Sequence, residues 1–460
     1  MAFVSALLLI VVLVVRPQEI WPSLEVLRLL NVLVALAAIG VILDFSAGKL
    51  KEAKTPQLFW VAAFLCWGLA VTAYRLGISE GLRVVWTIPA FSAIFMLVVL
   101  YAVSTFERFR AIVVLLLLVS TFVAVVAVHQ GMQDPVCIEL VETDEGVLPP
   151  EDGVPDGRTC ESGFMCGRDG KPNVDYACER LGMFHTSSIA RRVRWRGQLA
   201  DPNELSVFIG SMLPLLFAYW AYVKNKSFAI PSVAMTVVFL WAVIESKSRG
   251  GQFVIAVVFA SYFVSRYRLK GLVLAALMAL PVVLLGGREG SDADASSEER
   301  TQLLYDGVTI FSQHPIVGVG IGEFKEHMSP PMTAHNSYLL AAAETGVVGF
   351  YFWSGMLWSS IKIPLTVFLR PPAGLDAGLR PFAMAMLVSF VGVLIGIFFL
   401  SFCYKQLLFI YLGLAGAFYL IVRKDHPDFE VRLGSKDYMG VACVNGIILL
   451  GLFVYTRLKG

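Results

Sequence analysis

Chemistry in this chain can come from only a few polar stretches, each set between apolar runs. His335 opens one such run, flanked by Asn336 and Ser337. A helix starting there points its partial positive end at the ring, which disfavours imidazolium and keeps the neutral form a general base needs. A lone histidine is otherwise a structural residue; His314 and His327, in the same segment, are weaker candidates. Arg196 precedes Gly197, Pro202 and Asn203, a turn that returns the chain to an apolar run. A guanidinium at that place faces phosphate, whose oxygens match its planar fork. Arg191, Arg192 and Arg194 come just before it, and the first two read as a basic surface against lipid headgroups. Arg249 is followed by Gly250 and Gly251, which allow close backbone approach and a sharp reversal. Taken alone, it also fits a cation snorkelling from a helix end. Arg300 heads a stretch in which Leu303, Leu304, Val308 and Phe311 recur near helical spacing, predicting an amphipathic helix along a membrane surface. Gly318, Gly320 and Gly322 in GVGIGEF make no dinucleotide fingerprint, because they neither follow a soluble strand nor open a βαβ unit.

The elements that must position these groups are apolar. Of 460 residues, 57% are hydrophobic and 16% charged, against about 25% charged in soluble domains, and the mean hydropathy is +0.71. This excludes a soluble enzyme, a disordered chain and a nucleic-acid binder, and a net charge of +2 gives no pull on a polyanion. Apolar stretches recur at 2–15, 29–43, 57–74, 84–104, 111–128, 203–222, 229–245, 251–265, 271–287, 337–361, 382–400, 407–422 and 440–456. The first lacks the basic start and cleavage site of a signal peptide and is read as a membrane helix. With no water in the bilayer core, such runs must be helices. The expected fold is therefore all-α, a polytopic membrane bundle of about 12–13 helices of about 20 residues each.

Lys and Arg gather in alternate loops, among them Lys49, Lys51, Lys54, Arg108, Arg110, Lys224, Lys226, Arg266, Arg268 and Lys270. That places those loops and the N-terminus inside, and two long polar segments, 129–202 and 288–336, outside. The expected division is 1–128 (N-terminal helices), 129–202 (cysteine-containing outer loop), 203–287 (central helices with the SRGG turn), 288–336 (second outer loop) and 337–460 (C-terminal helices). Cys137, Cys160, Cys166 and Cys178 share the first outer loop, which predicts two disulfides in any of three pairings. A zinc site would lack a CxxC pair or a neighbouring histidine pair. The acidic, Gly- and Pro-rich middle of that loop reads as irregular cover, and the acidic, Ser-rich opening of the second as mobile. Cys66, Cys403 and Cys443 read as small packing residues of apolar spans.

Four motifs then occur in order on the outer side: RGQLADPNE (196–204), SRGG (248–251), Arg300 followed by HPIVGVGIGEF (314–324), and HNSYLLAAAETGVVG (335–349). Together they resemble the bacterial O-antigen ligase/polymerase family over about residues 196–360; elsewhere the likeness is the many-helix architecture alone. The cysteine loop is outside the family's pattern. The resemblance implies a metal-independent glycosyltransferase of the GT-C kind in the bacterial inner membrane, with no cofactor. Its donor would be a glycan on undecaprenyl pyrophosphate, transferred at the periplasmic face with inversion to an acceptor glycan, lipid A–core or another lipid-linked glycan. It also implies catalytic roles for Arg249, Arg300 and His335, and Arg196, Asn203 and Asn336 beside them are expected to support substrate binding. Those roles suit the chemistry: two guanidinium groups neutralise charge developing on a pyrophosphate leaving group, and a neutral imidazole takes the acceptor's proton. A ligase, a polymerase and a protein O-glycosylation ligase would share these motifs. A lipid-linked-glycan flippase is the reading from another class; it would place ionisable groups mid-span and break helices in matching halves.

Overall fold

The computed structural model describes residues 1–48, 54–143, 146–167, 175–287, 291–329 and 331–459. Lys49 and Lys51 of the charge pattern, the start of the acidic stretch at 288–290, and Pro330 lie outside the described residues. Every expected apolar stretch carries a helix. In chain order these are α1 (Ala2–Val15), α2 (Leu29–Ser46), α3 (Leu58–Leu76), α4 (Ile78–Ala102), α5 (Phe106–Gly131), α6 (Pro202–Val223), α7 (Ala229–Glu245), α8 (Arg249–Tyr267) and α9 (Leu269–Leu285). There follow α10 (Ser291–Gln313), α11 (Ser337–Leu369), α12 (Leu379–Gly396), α13 (Gln406–Asp425) and α14 (Ser435–Lys459). The chain is a multi-pass, all-α membrane protein. Among the described residues, nine helical segments are long and apolar enough to cross a membrane, fewer than the 12–13 expected. The difference has physical causes. Helices α1 and α9 have 14 and 17 residues, α8 carries Arg249, Gln252 and Arg266, and α11 is interrupted.

Sequence neighbours pack where connections are short, as α1 on α2 and α8 on α9, while α4 lies on α13, and α6 on α8 and α12, across longer separations. Helix α13 is enclosed by its neighbours, whereas α2 and α14 leave most of their surface facing outward. Gln198 of the first long polar segment and Lys325 and Thr333 of the second line one cavity, so the two segments meet at one end of the bundle.

The first of them is ordered. Strand β1 (Pro135–Glu139) pairs antiparallel with β4 (Pro155–Thr159) and β5 (Tyr176–Arg180), and β2 (Val141–Thr143) pairs with β3 (Gly146–Leu148). Disulfides join Cys137 to Cys166 and Cys160 to Cys178. The four buried cysteines, with Tyr176 against them, take the place of an apolar core in a segment too polar to build one. Three of their sulfurs lie within 4.8 Å of one another, but all are committed to these bonds. The expectation of irregular cover is therefore corrected to a small stapled sheet. The Ser-rich stretch read as mobile is likewise helical from Ser291. Cys403 is buried in the α12–α13 connection, while Cys66 and Cys443 lie exposed on α3 and α14, so none of the three packs as expected except Cys403.

Helix α11 breaks at Gly346, where φ is 67° and ψ −178°. The break frees backbone groups that an apolar bundle cannot leave unpaired. GVGIGEF supplies the partners: Val319 N–H donates to the Ala343 carbonyl (3.0 Å) and Gly320 N–H to the Glu344 carbonyl (2.9 Å), while Val347 N–H reaches the Pro315 carbonyl (2.8 Å). The Glu344 side chain accepts from Gly322 N–H at 3.0 Å and from Tyr404 Oη at 2.6 Å. A Cβ on Gly346 would meet the Ile316 carbonyl oxygen at 2.0 Å. Gly346→Ala should thus lower stability by about 3 kcal/mol, the upper range for a backbone conformation almost confined to glycine. Gly374→Ala, at φ 76° with nothing within 4 Å, should cost about 1 kcal/mol. Thermal unfolding of both variants in detergent checks this; equal shifts would contradict it.

Candidate active site

The site is built where α6, α8, α10 and α11 begin or end at the loop-bearing end of the bundle. Asp201 caps α6, accepting from Asn203 N–H at 2.7 Å, with Pro202 in the first turn. The Asn203 carboxamide oxygen accepts two bonds at 2.8 Å, from Arg192 Nη2 and from Ser248 Oγ. Arg192 Nε also donates to the Ser246 carbonyl (2.9 Å). Ser248 in turn caps α8, accepting from Gly251 N–H at 3.0 Å. Here SRGG finds its reason: a Cβ on Gly251 would stand 2.2 Å from Ser206 Oγ, so glycine lets α8 start against α6. Arg249, the first residue of α8, is held by this scaffold.

His335 is fixed differently. Its φ is 43°, a left-handed conformation that costs a non-glycine residue roughly 1–2 kcal/mol and that an ordinary helix start does not require. Its N–H donates to Ser401 Oγ at 2.9 Å. Asn336 then caps α11, accepting from Leu339 N–H at 2.9 Å. Ser337 Oγ donates to the Leu400 carbonyl (2.6 Å) and accepts from Phe402 N–H (2.7 Å). The histidine is thereby pinned between α11 and the α12–α13 connection. An observed backbone outlier of this kind is a pointer to function.

These elements bring Arg249, Arg300, His335 and Asn203 onto the wall of one cavity of about 680 Å³. Lys247 lines it too. Much of the remaining wall is apolar: Phe398 and Phe399, with Ile447, Ile448, Leu452 and Tyr455 of α14. The α14 residues carried no signal in the sequence, being part of an ordinary apolar run; Lys247 stood beside the SRGG motif and was not singled out. Helix α10 packs across α11 and α14, with Val308 against Leu339 and Leu452, which carries Arg300 to the cavity.

Two expected site residues lie elsewhere. Arg196 does not line the cavity. It is buried and spends its donors on the carbonyls of Glu19 and Phe184 and on Asp152 (3.3 Å), tying the outer loop to the end of α1. Asn336 is fully buried and serves as the helix cap. The reading of Arg191 and Arg192 as a headgroup surface is also corrected. Arg192 is buried against Asn203, and Arg191 bonds the Glu161 carbonyl and Cys178. Arg194, also buried, donates to the carbonyls of Pro149 (2.7 Å), Pro150 (2.9 Å) and Ser187 (2.9 Å). His314 meets Arg75 Nη2 at 3.1 Å, and burial, then the charges of Arg75 and His327, push its pKa below the ordinary value. His327 bonds the Glu323 carbonyl, and neither histidine lines the cavity.

If Asn203 couples Arg192 to the α8 turn, Asn203→Ala should cost about 2 kcal/mol, the scale of a hydrogen bond to a charged group. In a cycle with Arg192→Ala the two losses should be non-additive by more than 0.5 kcal/mol. Additive unfolding energies would remove the link.

Residues 204–354, about a third of the chain, match the family described as O-Antigen ligase. No curated protein matches the chain. The matched segment begins beside Asn203 and contains Arg249, Arg300 and His335, while the stapled sheet and α14 fall outside it. Over residues 204–354 the chain is thus similar to the O-antigen ligase family.

Proposed function

We propose that the protein transfers a glycan from undecaprenyl pyrophosphate to an acceptor hydroxyl at the periplasmic face of a bacterial inner membrane. The observation that carries this reading is the convergence of Arg249, Arg300 and His335, from three separate elements, on one cavity whose remaining wall is largely apolar. A polyprenyl pyrophosphate has that same division, an anionic head on a hydrocarbon tail. Arg249 and Arg300 neutralise the head, and the α14 residues face the first prenyl units.

In the step itself, the acceptor oxygen attacks the anomeric carbon as the bond from that carbon to the pyrophosphate oxygen breaks. The leaving pyrophosphate takes the electron pair, and the hydroxyl proton passes to the His335 imidazole. Attack opposite the leaving group inverts the anomeric centre. Charge develops on the pyrophosphate as it departs, so fixed guanidinium groups act more strongly in the transition state than in the ground state. The stapled sheet and the cavity share one end of the bundle, which suits an oxidising, extracytoplasmic location.

A flippase draws some support from the broken α11. The break, however, is closed by the amides of Val319 and Gly320, and Arg249, Arg300 and His335 line a single cavity. Among transferases, the motifs serve ligase, polymerase and protein O-glycosylation alike, with ligase favoured slightly by the family's description.

His335→Asn keeps a residue type that tolerates the left-handed backbone and should abolish transfer while the protein stays folded; full turnover would remove the proposed base. Arg249→Lys should lose roughly 10²–10³ in rate, as for removal of one transition-state donor, because a point charge lacks the planar fork. Wild-type turnover would argue against pyrophosphate clamping. Deleting the gene and resolving the glycans on gels separates the acceptors. Loss of capped lipopolysaccharide with intact lipid-linked polymer indicates a ligase; accumulation of single repeat units indicates a polymerase.

A further inference from the structure

The α7–α8 turn holds a second left-handed backbone position on the wall of the arginine cavity. Lys247 has a φ of 47° and lines the same cavity as Arg249, Arg300 and His335. Glycine and asparagine adopt that conformation at lower cost than lysine does, and an outlier of this kind points to use of the side chain. The residues on either side are anchored. Arg192 Nε donates to the Ser246 carbonyl at 2.9 Å, and Ser248 Oγ donates to Asn203 Oδ1 at 2.8 Å. The turn therefore presents Lys247 from a fixed base. Among the described residues its ammonium has no ion-pair partner. Glu245, the acid nearest in sequence, faces Arg180 at 3.4 Å and Trp241 Nε1 at 3.2 Å instead. Among the described residues the cavity wall thus carries three cations, Lys247, Arg249 and Arg300, and no aspartate or glutamate.

Counting charge gives the third cation a task. A pyrophosphate esterified at both ends has two ionised oxygens, which two guanidinium groups match. When the bond to the anomeric carbon breaks, the electron pair stays on the pyrophosphate oxygen and one further negative charge appears there. The proton leaving the acceptor charges the His335 imidazole, but in an inverting displacement that proton is released on the face of the sugar away from the departing oxygen. Lys247 shares its turn with Arg249 and so belongs to the leaving-group side. A cation there meets charge carried only by the transition state and the product, so it lowers the barrier without tightening donor binding. Lysine suits the task, because a compact ammonium on a flexible stem follows an oxygen as it withdraws, whereas planar guanidinium groups fit phosphates already ionised. We propose that Lys247 is a further catalytic residue, contacting the departing pyrophosphate oxygen and balancing the charge that appears on it. This inference rests on the transferase reading above.

The test uses the full-length protein in nanodiscs with an undecaprenyl-pyrophosphate-linked glycan as donor. Lipid A–core, a second lipid-linked repeat unit and a serine-containing peptide are offered as acceptors, and the one the wild-type protein uses is kept. Lys247→Asn removes the cation and keeps a residue type that tolerates the left-handed backbone, so its unfolding temperature should not fall. Its kcat should drop roughly tenfold or more while the donor KM stays within about twofold, the split expected of a contact made only in the transition state. Lys247→Arg, which restores a cation, should recover most of that loss. Without acceptor, Lys247→Asn should bind undecaprenyl pyrophosphate roughly tenfold more weakly and the intact donor as the wild type does. The series is run in phosphatidylcholine nanodiscs and again with phosphatidylglycerol added. A loss confined to the phosphatidylglycerol membranes would assign Lys247 to lipid headgroups and overturn the proposal. An unchanged kcat, a rise in donor KM with kcat kept, or an arginine variant that recovers nothing would overturn it too. Absence of transfer by the wild-type protein to all three acceptors would instead sink the transferase reading, whereas an unchanged variant beside an active wild type sinks this proposal alone.

Discussion

A helix that breaks inside an apolar bundle must find partners for the groups it frees, and the loop-bearing end of this molecule is organised around one such break. The interruption of α11 at Gly346 exposes carbonyls at Ala343 and Glu344 to surroundings that hold no water. The loop at 315–324 answers them with its own amides. Because that loop is tied down, the chain that follows reaches His335 from a fixed starting point. The His335 backbone is then held, its N–H by Ser401 Oγ and the residue after it by the cap of α11. The position of one imidazole is thus set by backbone bookkeeping several turns away.

The arginines repeat the principle with charge. A buried guanidinium is tolerable only if its donors are met. Arg192, Arg194 and Arg196 are buried and donate mostly to carbonyl oxygens of loops distant in sequence. They knit the stapled sheet to α1, to the α7–α8 turn and to the start of α6. Arg249 and Arg300 differ in that they face a cavity. The contrast separates arginines that hold the architecture from those on the cavity wall.

Much of this was legible in the residues. Long apolar runs with no strand alternation could only be helices, and the positions of α1 to α14 follow them closely. Arg249, Arg300 and His335 were visible because each interrupts an apolar pattern beside glycine, proline or a cap residue. Arg196 looked equivalent, next to its own glycine and proline, but its partners at Glu19, Asp152 and Phe184 are set by the tertiary fold and leave no local trace. The β-sheet of 135–180 was hidden because disulfides, not hydrophobic alternation, hold it. The wall from α14 was hidden for the opposite reason: Ile447, Ile448 and Leu452 look like any membrane-facing residues until another helix packs beside them.

The seam between α1 and Trp195–Arg196 has a consequence for biosynthesis. Trp195 Nε1 donates to the Val14 carbonyl, 181 positions earlier, and Arg196 to the Glu19 carbonyl, 177 positions earlier. Helix α1 therefore leaves the ribosome well before its partners and waits, its outer tip unfinished, until four more helices and a crosslinked sheet have emerged. Assembly of this protein is a closing of a ring, in which an early helix is secured by a segment made much later.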